Sequence, residues 1–569
     1  MKVVTTAEMQ SLEAAAAAAG VGYAEMMSRA GEAVAQAIAD LGLPEGVRIL
    51  ALIGPGNNGG DGLVAARLLH SRGARVTAYI WKRITDEDPN YRLAADLGVE
   101  IIRQSEDPDL SRFRALLADC HVVIDALLGT GARGAPRGDL AQLLSALQEE
   151  LALMRPLQPA RVRPHWPEAV RPRRPLIVAV DLPSGMNADT GEADALTPRA
   201  DITVTFGFPK LGLFRFPGAA LVGDLVVADI GIPASLAADI DLELADPSMV
   251  APLLPERPQD ANKGTFGRVL VVAGSTNYTG APYLAAVGAS RVGAGLVTLA
   301  VPQPVYPIVA ARAAEPTFLL LPSDMGALTP AALDVIGPLL GGYKALLVGP
   351  GLGREKATVE FVRRLVGLEP AGGRRLGFAI REMVEEARPY QLPPTVVDAD
   401  ALNALADTPE WWRETSARLV LTPHPGELAR LQGTTVEAIQ ADRLKAAREA
   451  AARWGQVVVL KGAYTVVAAP DGRATLLPFA NPALASAGTG DVLAGAIAGL
   501  IAQGLAPEPA AVVGAYVHGL AGEMARRAMG LAGAVAGDLL PLLPKAIARL
   551  RAAAGEGYGP LPETGPIDG

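Results

Sequence analysis

Two periods alternate along this chain. Met26, Met27, Ala30, Val34, Ala37 and Ile38 recur at helical spacing, with Glu25, Arg29 and Glu32 between them, so the first 40 residues are expected to form two helices. Short β-branched runs then alternate with helical patterns. RILALIG, RVTAYIW, HVVIDALLG, LIVAVDLPSG and ADITVTFGF read as strands, each closing on a glycine, a turn or a polar residue. Strands separated by helices imply a parallel sheet covered on both faces. Ligands of such sheets bind beyond the carboxyl ends of the strands. There the sequence sets GPGNNGGDG (residues 54–62), Asp125 and Asp181-Leu-Pro-Ser-Gly.

Around residues 232 to 262 the alternation breaks, and this stretch reads as a connection. A second series follows: RVLVVAGS, GLVTLAVP, ALLVGPGLG, PTVVDADAL, RLVLTPHPGE, QVVVLKGAY and TVVAAPDG. The expected fold class is α/β throughout, with a first domain over 1–235, a connection over 236–262 and a second domain over 263–555. The Pro- and Arg-rich stretch 154–175 and the stretch 369–394 read as surface insertions of no assignable function.

Composition narrows the function classes. A chain of 569 residues exceeds what one core supports, which agrees with two domains. A net charge of −9 offers no basic surface to a polyanion, so no nucleic-acid partner is expected. The single cysteine, Cys120, excludes an intrachain disulfide and a cysteine-based zinc site, and reads as a small core residue. No secretory signal and no membrane-spanning run are read, so the expectation is a cytoplasmic protein without a membrane partner.

A glycine-rich turn between strand and helix binds anions through free backbone N–H groups and the helix dipole. That accounts for the glycines of GPGNNGGDG but not for Asn57, Asn58 and Asp61, whose oxygens repel phosphate unless a cation intervenes. A hard cation held by carboxylate, amide and carbonyl oxygens would explain them. Asp125 and Asp181 each end an apolar strand and could each be a cap or an Asx-turn. Together they put oxygen ligands at three neighbouring strand ends. GPGNNGGDG, the aspartate of VIDALLGTGARGA and VDLPSG resemble the amino-terminal domain of the NAD(P)H-hydrate repair enzymes, the YjeF-type epimerase, over about residues 1 to 230.

That resemblance implies a Rossmann-like α/β/α domain with a potassium site at Asn58, Asp125 and Ser184. It also implies that the damaged dinucleotide meets Asn57, Asn58, Gly59, Gly60, Asp61, the segment Gly129, Thr130, Gly131, Ala132, Arg133, Gly134 and Ala135, and Asp181. The substrate carries a hydroxyl on C6 of its reduced nicotinamide, next to the ring nitrogen. Asp181 is the expected acid/base that helps this hydroxyl leave and water return to the opposite face.

SAGTGDVLAGAIAGLIAQG (486–504) is a glycine-rich turn entering a small-residue helix. Asp491 alone would be a first-turn carboxylate complementing the helix dipole. The N–H groups of Gly488 to Gly490 beside it form an anion cradle, however. A carboxylate next to bound phosphates suits a base that deprotonates an attacking hydroxyl, the phosphoryl-transfer arrangement of the ribokinase-like fold. NKGTFGRVLVVAGS, YTGAPYLAA, GPGLG, DADALN, LTPHPGE, LKGAYT and GTGDVLAG occur in this order and resemble the dehydratase domain of the same enzymes over about residues 250 to 550. Ala480 and Ala487 replace glycines of the family pattern, while Asp491 is retained.

The resemblance implies substrate contacts at Ala281, Gly353, His424 and Asp491, with the adenine nucleotide at Lys461, Gly462, Ala463, Tyr464, Thr465 and Gly490. His424 between two prolines could otherwise be a turn residue, and Lys461 a solvated strand-end charge. The implied activity is bifunctional: interconversion of the R and S epimers of NADHX and NADPHX, then dehydration of the S epimer with ADP, giving AMP and phosphate. ADP is the expected co-substrate, K+ and Mg2+ the expected ions, and a homo-oligomer the expected assembly. The competing reading is a small-molecule kinase of ribokinase-like fold fused to a non-catalytic binding domain. TPHPGE and the fused first half count against it.

Overall fold

The computed structural model describes residues 1–131, 134–154, 174–368, 391–553 and 555. The chain divides into two units, Lys2–Ile240 and Met1 with Asp241–Gly569. Residues 155–173 and 369–390 of the two expected insertions, and Ala132 and Arg133, lie outside the described residues.

The first unit opens with α1 (Thr6–Ala18) and α2 (Tyr23–Ala39), as the apolar spacing predicts. Thr5 caps α1 reciprocally with Glu8, which satisfies two backbone donors at the helix start. Then come β1 (Arg48–Ile53), α3 (Asn57–Ser71), β2 (Arg75–Ile80), α4 (Pro89–Asp96), β3 (Glu100–Arg103), α5 (Ser111–Asp119) and β4 (Val122–Ala126). After α6 (Asp139–Leu153) follow β5 (Leu176–Val180), β6 (Ile202–Phe206) and β7 (Asp224–Ala228). The sheet is parallel, in the order β3-β2-β1-β4-β5-β6-β7.

Residues of period two divide this sheet between two cores. Ile49, Ala51 and Ile53 of β1 join Val122, Ile124 and Ala126 of β4 and the apolar sides of α1 to α3. Leu50, Leu52 and Val123 join Phe113 and Leu117 of α5 and Leu143, Leu144 and Leu147 of α6 on the opposite face. The unit is therefore Rossmann-like. Strand order reverses between β1 and β4, and the register there sets Leu52 opposite Asp125.

One local feature differs from expectation. GPGNNGGDG is not a loop ahead of the helix, because α3 already begins at Asn57. Asn57 to Gly62 form its first turns, and only Gly54, Pro55 and Gly56 connect it to β1. The glycines serve close approach: a Cβ on Gly54 would lie 1.8 Å from the Leu127 carbonyl oxygen, so only glycine lets the β1 and β4 ends meet.

The second unit holds a ten-stranded sheet. Its strands are β8 (Leu242–Leu244), β9 (Arg268–Val272), β10 (Leu296–Pro302), β11 (Thr317–Leu321), β14 (Ala345–Val348), β15 (Thr395–Val397), β16 (Leu419–Leu421), β17 (Val457–Leu460), β18 (Val466–Ala468) and β19 (Ala474–Leu476). The pair β12 (Ser323–Asp324) and β13 (Ala327–Leu328) forms a separate hairpin. The order is β11-β10-β9-β14-β15-β16-β17-β18-β19-β8, parallel from β11 to β17 and antiparallel at the β17/β18 and β18/β19 pairs.

The helix Thr489–Ala502 is buried from Val492 onward and lies against the helix Gly280–Arg291. A Cβ on Gly495 would sit 2.1 Å from the Ala285 carbonyl, so the two backbones nearly touch. The stretch 236–262, expected as a connection, is in part sheet: β8 pairs in parallel with β19, Leu242 opposite Ala474. Only three residues long, β8 is too short to show a period in sequence. Among the described residues no helix is long and apolar enough to cross a membrane.

Candidate functional site

In the first unit the ends of β1, β4 and β5 border a cavity of about 880 Å³. Asn57, Asn58, Asp61, Gly129, Thr130, Gly131 and Asp181 line it, together with Glu13, Tyr23, Met27 and Lys210. Gly59 and Gly60 instead underlie the turn, against the Arg83 guanidinium.

Asp125 is fully buried. Its Oδ1 accepts from Ser184 Oγ at 2.6 Å and its Oδ2 from the Ser184 N–H at 2.9 Å. Burial raises its pKa, opposed by these hydrogen bonds. The Leu128 peptide ties in the third member of the set: its N–H donates to Ser184 Oγ at 2.9 Å and its carbonyl accepts from Asn58 Nδ2 at 2.8 Å. Asn58 Oδ1 is buried and has no hydrogen-bond partner among the described residues. An orphaned amide oxygen, a hydroxyl and a buried carboxylate without a basic partner among the described residues make a donor set suited to a hard monovalent cation.

Asp181 follows β5 with φ at +66°, a conformation rare outside glycine. Its Oδ1 accepts from Lys210 Nζ at 2.5 Å, Thr205 Oγ1 at 2.9 Å and the Phe206 N–H at 3.4 Å. Two more carboxyl groups share the cavity. Burial pushes Asp61 well above the usual carboxylate range, the charges of Asp181 and Glu13 adding to it and Lys210 and Arg83 opposing. Glu13 is likewise raised, chiefly by burial.

Sequence reasoning passed over three residues here. Lys210 sits in an apolar run, where one lysine four residues past a strand is an unpromising sign. Glu13 comes from α1, far off in sequence. Arg83 holds the glycine turn, donating to the Gly56 carbonyl at 2.7 Å and the Gly54 carbonyl at 3.0 Å while paired with Asp88.

In the second unit Gly488 takes a left-handed conformation and starts the helix that carries Asp491 in its first turn. Burial lifts the Asp491 pKa to about 7, with Asp398 adding and Lys461 opposing. Lys461 Nζ lies 2.7 Å from Asp398 Oδ1 and 3.8 Å from Glu427 Oε2, and a Cβ on Gly490 would be 3.3 Å from it. Burial works against this ammonium, but Asp398 and Glu427 more than offset it and raise its pKa. Lys461 is therefore no solvated strand-end charge.

His424 caps the helix Pro425–Gln432: its Nδ1 accepts from the Gly426 and Glu427 N–H groups at 3.0 and 3.3 Å, which leaves the proton on Nε2. Beyond Lys461, Thr465 Oγ1 donates to the Gly462 carbonyl at 2.8 Å and the Tyr464 N–H to Phe479, so Gly462, Ala463 and Tyr464 form a closed turn. Gly351 packs against Ala281, and the Gly353 N–H donates to Asp400 Oδ2 at 2.9 Å. His518 was missed because it lies 27 residues past Asp491. Burial lowers its pKa to about 4, and the neutral ring holds the Thr489 carbonyl through Nε2 at 2.9 Å.

With this geometry in hand, the chain was compared with known proteins. Residues 23–212 match the family model of the YjeF-related protein N-terminus, and residues 269–545 that of NAD(P)H-hydrate dehydratase. A bifunctional NAD(P)H-hydrate repair enzyme of Moorella thermoacetica is 41% identical over 560 residues, covering 97% of each chain. The chain belongs to the bifunctional NAD(P)H-hydrate repair enzymes.

Another member, from Thermofilum pendens, is 38% identical over 97% of each chain. Among solved structures, the ADP/ATP-dependent NAD(P)H-hydrate dehydratase of Bacillus subtilis, co-crystallised with ATP and Mg2+, is 29% identical. The match covers 55% of this chain and 99% of that one, with a TM-score of 0.44. In this family frame the first unit is the YjeF-type, Rossmann-like domain and the second the ribokinase-like dehydratase domain.

Proposed function

We propose that the first unit interconverts the R and S epimers of NAD(P)H hydrate at the cavity holding Asp181, and that the second dehydrates the S epimer with ADP at Asp491. One observation carries the reading: a single chain joins an epimerase-type cavity lined by Asp181 to a helix-start cradle that sets Asp491 near Lys461, a half-buried lysine paired with Asp398.

In the second unit Asp491 removes the proton of the C6 hydroxyl, and the oxygen attacks the terminal phosphate of ADP, expelling AMP. The ring nitrogen then drives out phosphate, and loss of a proton from C5 restores the dihydropyridine. The step matters because hydroxide is a poor leaving group and phosphate a good one. Lys461 and the N–H groups from Gly488 to Gly490 bind the transferring phosphate charge. The turn Gly462, Ala463, Tyr464 and Thr465 holds the nucleotide, while Ala281, Gly353 and His424 border the substrate. Mg2+ would accompany the phosphates, where Asp400 and Glu427 offer hard oxygens.

In the first unit Asn57, Asn58, Asp61 and the segment from Gly129 to Ala135 receive the dinucleotide. K+ would be held by Asn58, Asp125 and Ser184. The orphaned Asn58 oxygen supports this reading, and the ion would supply positive charge to a buried carboxylate and to nearby phosphate. Asp181 acts as the acid/base at C6.

The test is repair of each purified epimer by the full chain with ADP, followed as recovery of absorbance near 340 nm with AMP and phosphate measured. Both epimers should be repaired, the R epimer faster than its spontaneous interconversion. No recovery, alongside phosphorylation of a small alcohol, would instead establish the kinase reading.

A further inference from the structure

Lys210 is a buried cation to which the scheme above gives no task. It ends the run Phe206-Gly207-Phe208-Pro209-Lys210 and is only 2% exposed. Its three N–H bonds are all used: Asp181 Oδ1 at 2.5 Å, the Phe206 carbonyl at 3.1 Å and Thr205 Oγ1 at 3.2 Å. Thr205 passes the contact on by donating to the same Asp181 oxygen. Oδ1 is thus saturated with donors, while Oδ2 receives no hydrogen bond among the described residues.

Three carboxyl groups line the cavity, Glu13, Asp61 and Asp181, and Lys210 is the one basic side chain lining it among the described residues. A single cation bonded to one of three carboxyl groups sets that one apart from the other two. It is bonded to Asp181, whereas Asp61 has neither a hydrogen bond nor an ion pair to a basic side chain among the described residues.

We infer that Lys210 is a positioning residue for the epimerisation: it holds Asp181 Oδ1 in a buried ion pair, so that Oδ2 is the atom that meets water. Resting on the reading of Asp181 given above, this divides the work between two carboxyl groups. Asp61, kept protonated, gives its proton to the C6 hydroxyl. The C6–O bond breaks as the ring-nitrogen pair forms N=C6, and water leaves. A second water adds to C6 and loses a proton to Asp181 Oδ2. One proton has moved from Asp61 to Asp181, and exchange with solvent returns it.

The test uses the full chain and purified R epimer, with epimer composition read by chromatography and ADP-dependent dehydration of the S epimer as internal control. Lys210→Met should slow epimerisation about 100-fold, the lower range for one acid–base group. S-epimer dehydration should stay within about twofold. Because Lys210 acts through Asp181, the double variant D181N/K210M should be no slower than D181N. Lys210→Arg, which keeps the charge, should recover at least about tenfold over K210M, and so separates loss of charge from loss of folding.

A K210M rate within about threefold of wild type overturns the inference. So do losses that multiply in the double variant, or an arginine variant no better than methionine. If the wild-type chain repairs the S epimer but leaves the R epimer at its spontaneous rate, the reading of the first unit falls, and this inference with it.

Discussion

At the residue scale the two aspartates proposed as acid–base groups are prepared in opposite ways. Asp181 is ion-paired with Lys210 at 2.5 Å. Asp491 shares its surroundings with Asp398, Asp400 and Glu427, and its pKa stands near 7. A base works only when deprotonated, so dehydration of the S epimer should fall about tenfold per pH unit well below 7, as a rate–pH profile would reveal. Stability has the opposite sign. The folded pKa is raised above the unfolded value, so the Asp491 contribution is fully present below about pH 4 and lost as pH rises through about 7. Asp491→Asn should therefore raise the melting temperature more at pH 8 than at pH 5, while abolishing ADP-dependent dehydration and sparing epimerisation. Asp125 was legible because it ends an apolar strand, and Asn58 because its amide has no place in a plain phosphate turn, whereas Ser184 came through the family resemblance alone. Lys210 was not legible, because no local pattern distinguishes a buried lysine from an exposed one.

At the element scale short β-branched runs gave the central strands, which are buried almost throughout. The edges were lost: β7 and β11 are half-exposed, and β3, β8 and β19 are three or four residues long. The start of α3 was also hidden, since glycine disfavours helix and the sequence therefore read as loop. What overrides propensity there is proximity of backbones, which no single segment encodes. The helix Thr489–Ala502 makes the same bargain. Gly495→Ala should cost about 1–3 kcal/mol by overpacking against the Ala285 carbonyl. The check is thermal unfolding of the variant, with dehydration lost at lower temperature than in the wild type and the 340 nm assay as readout.

At the scale of the whole molecule, each unit holds its own complete set of candidate groups. If each works alone, a mixture of D181N and D491N chains should repair the R epimer, one chain epimerising and the other dehydrating; the 340 nm assay would measure it. Replacing K+ by a bulky organic cation should slow epimerisation and leave S-epimer dehydration unchanged, which separates the two activities by ion alone. The strand β8 carries a different consequence. It occupies the outer edge of the second sheet, beside β19. A dehydratase fragment cut at residue 263 would uncover the backbone of β19, and an uncovered edge recruits strands from other molecules. Such a fragment should self-associate in light scattering, whereas one beginning at Asp241 keeps its own cover against aggregation.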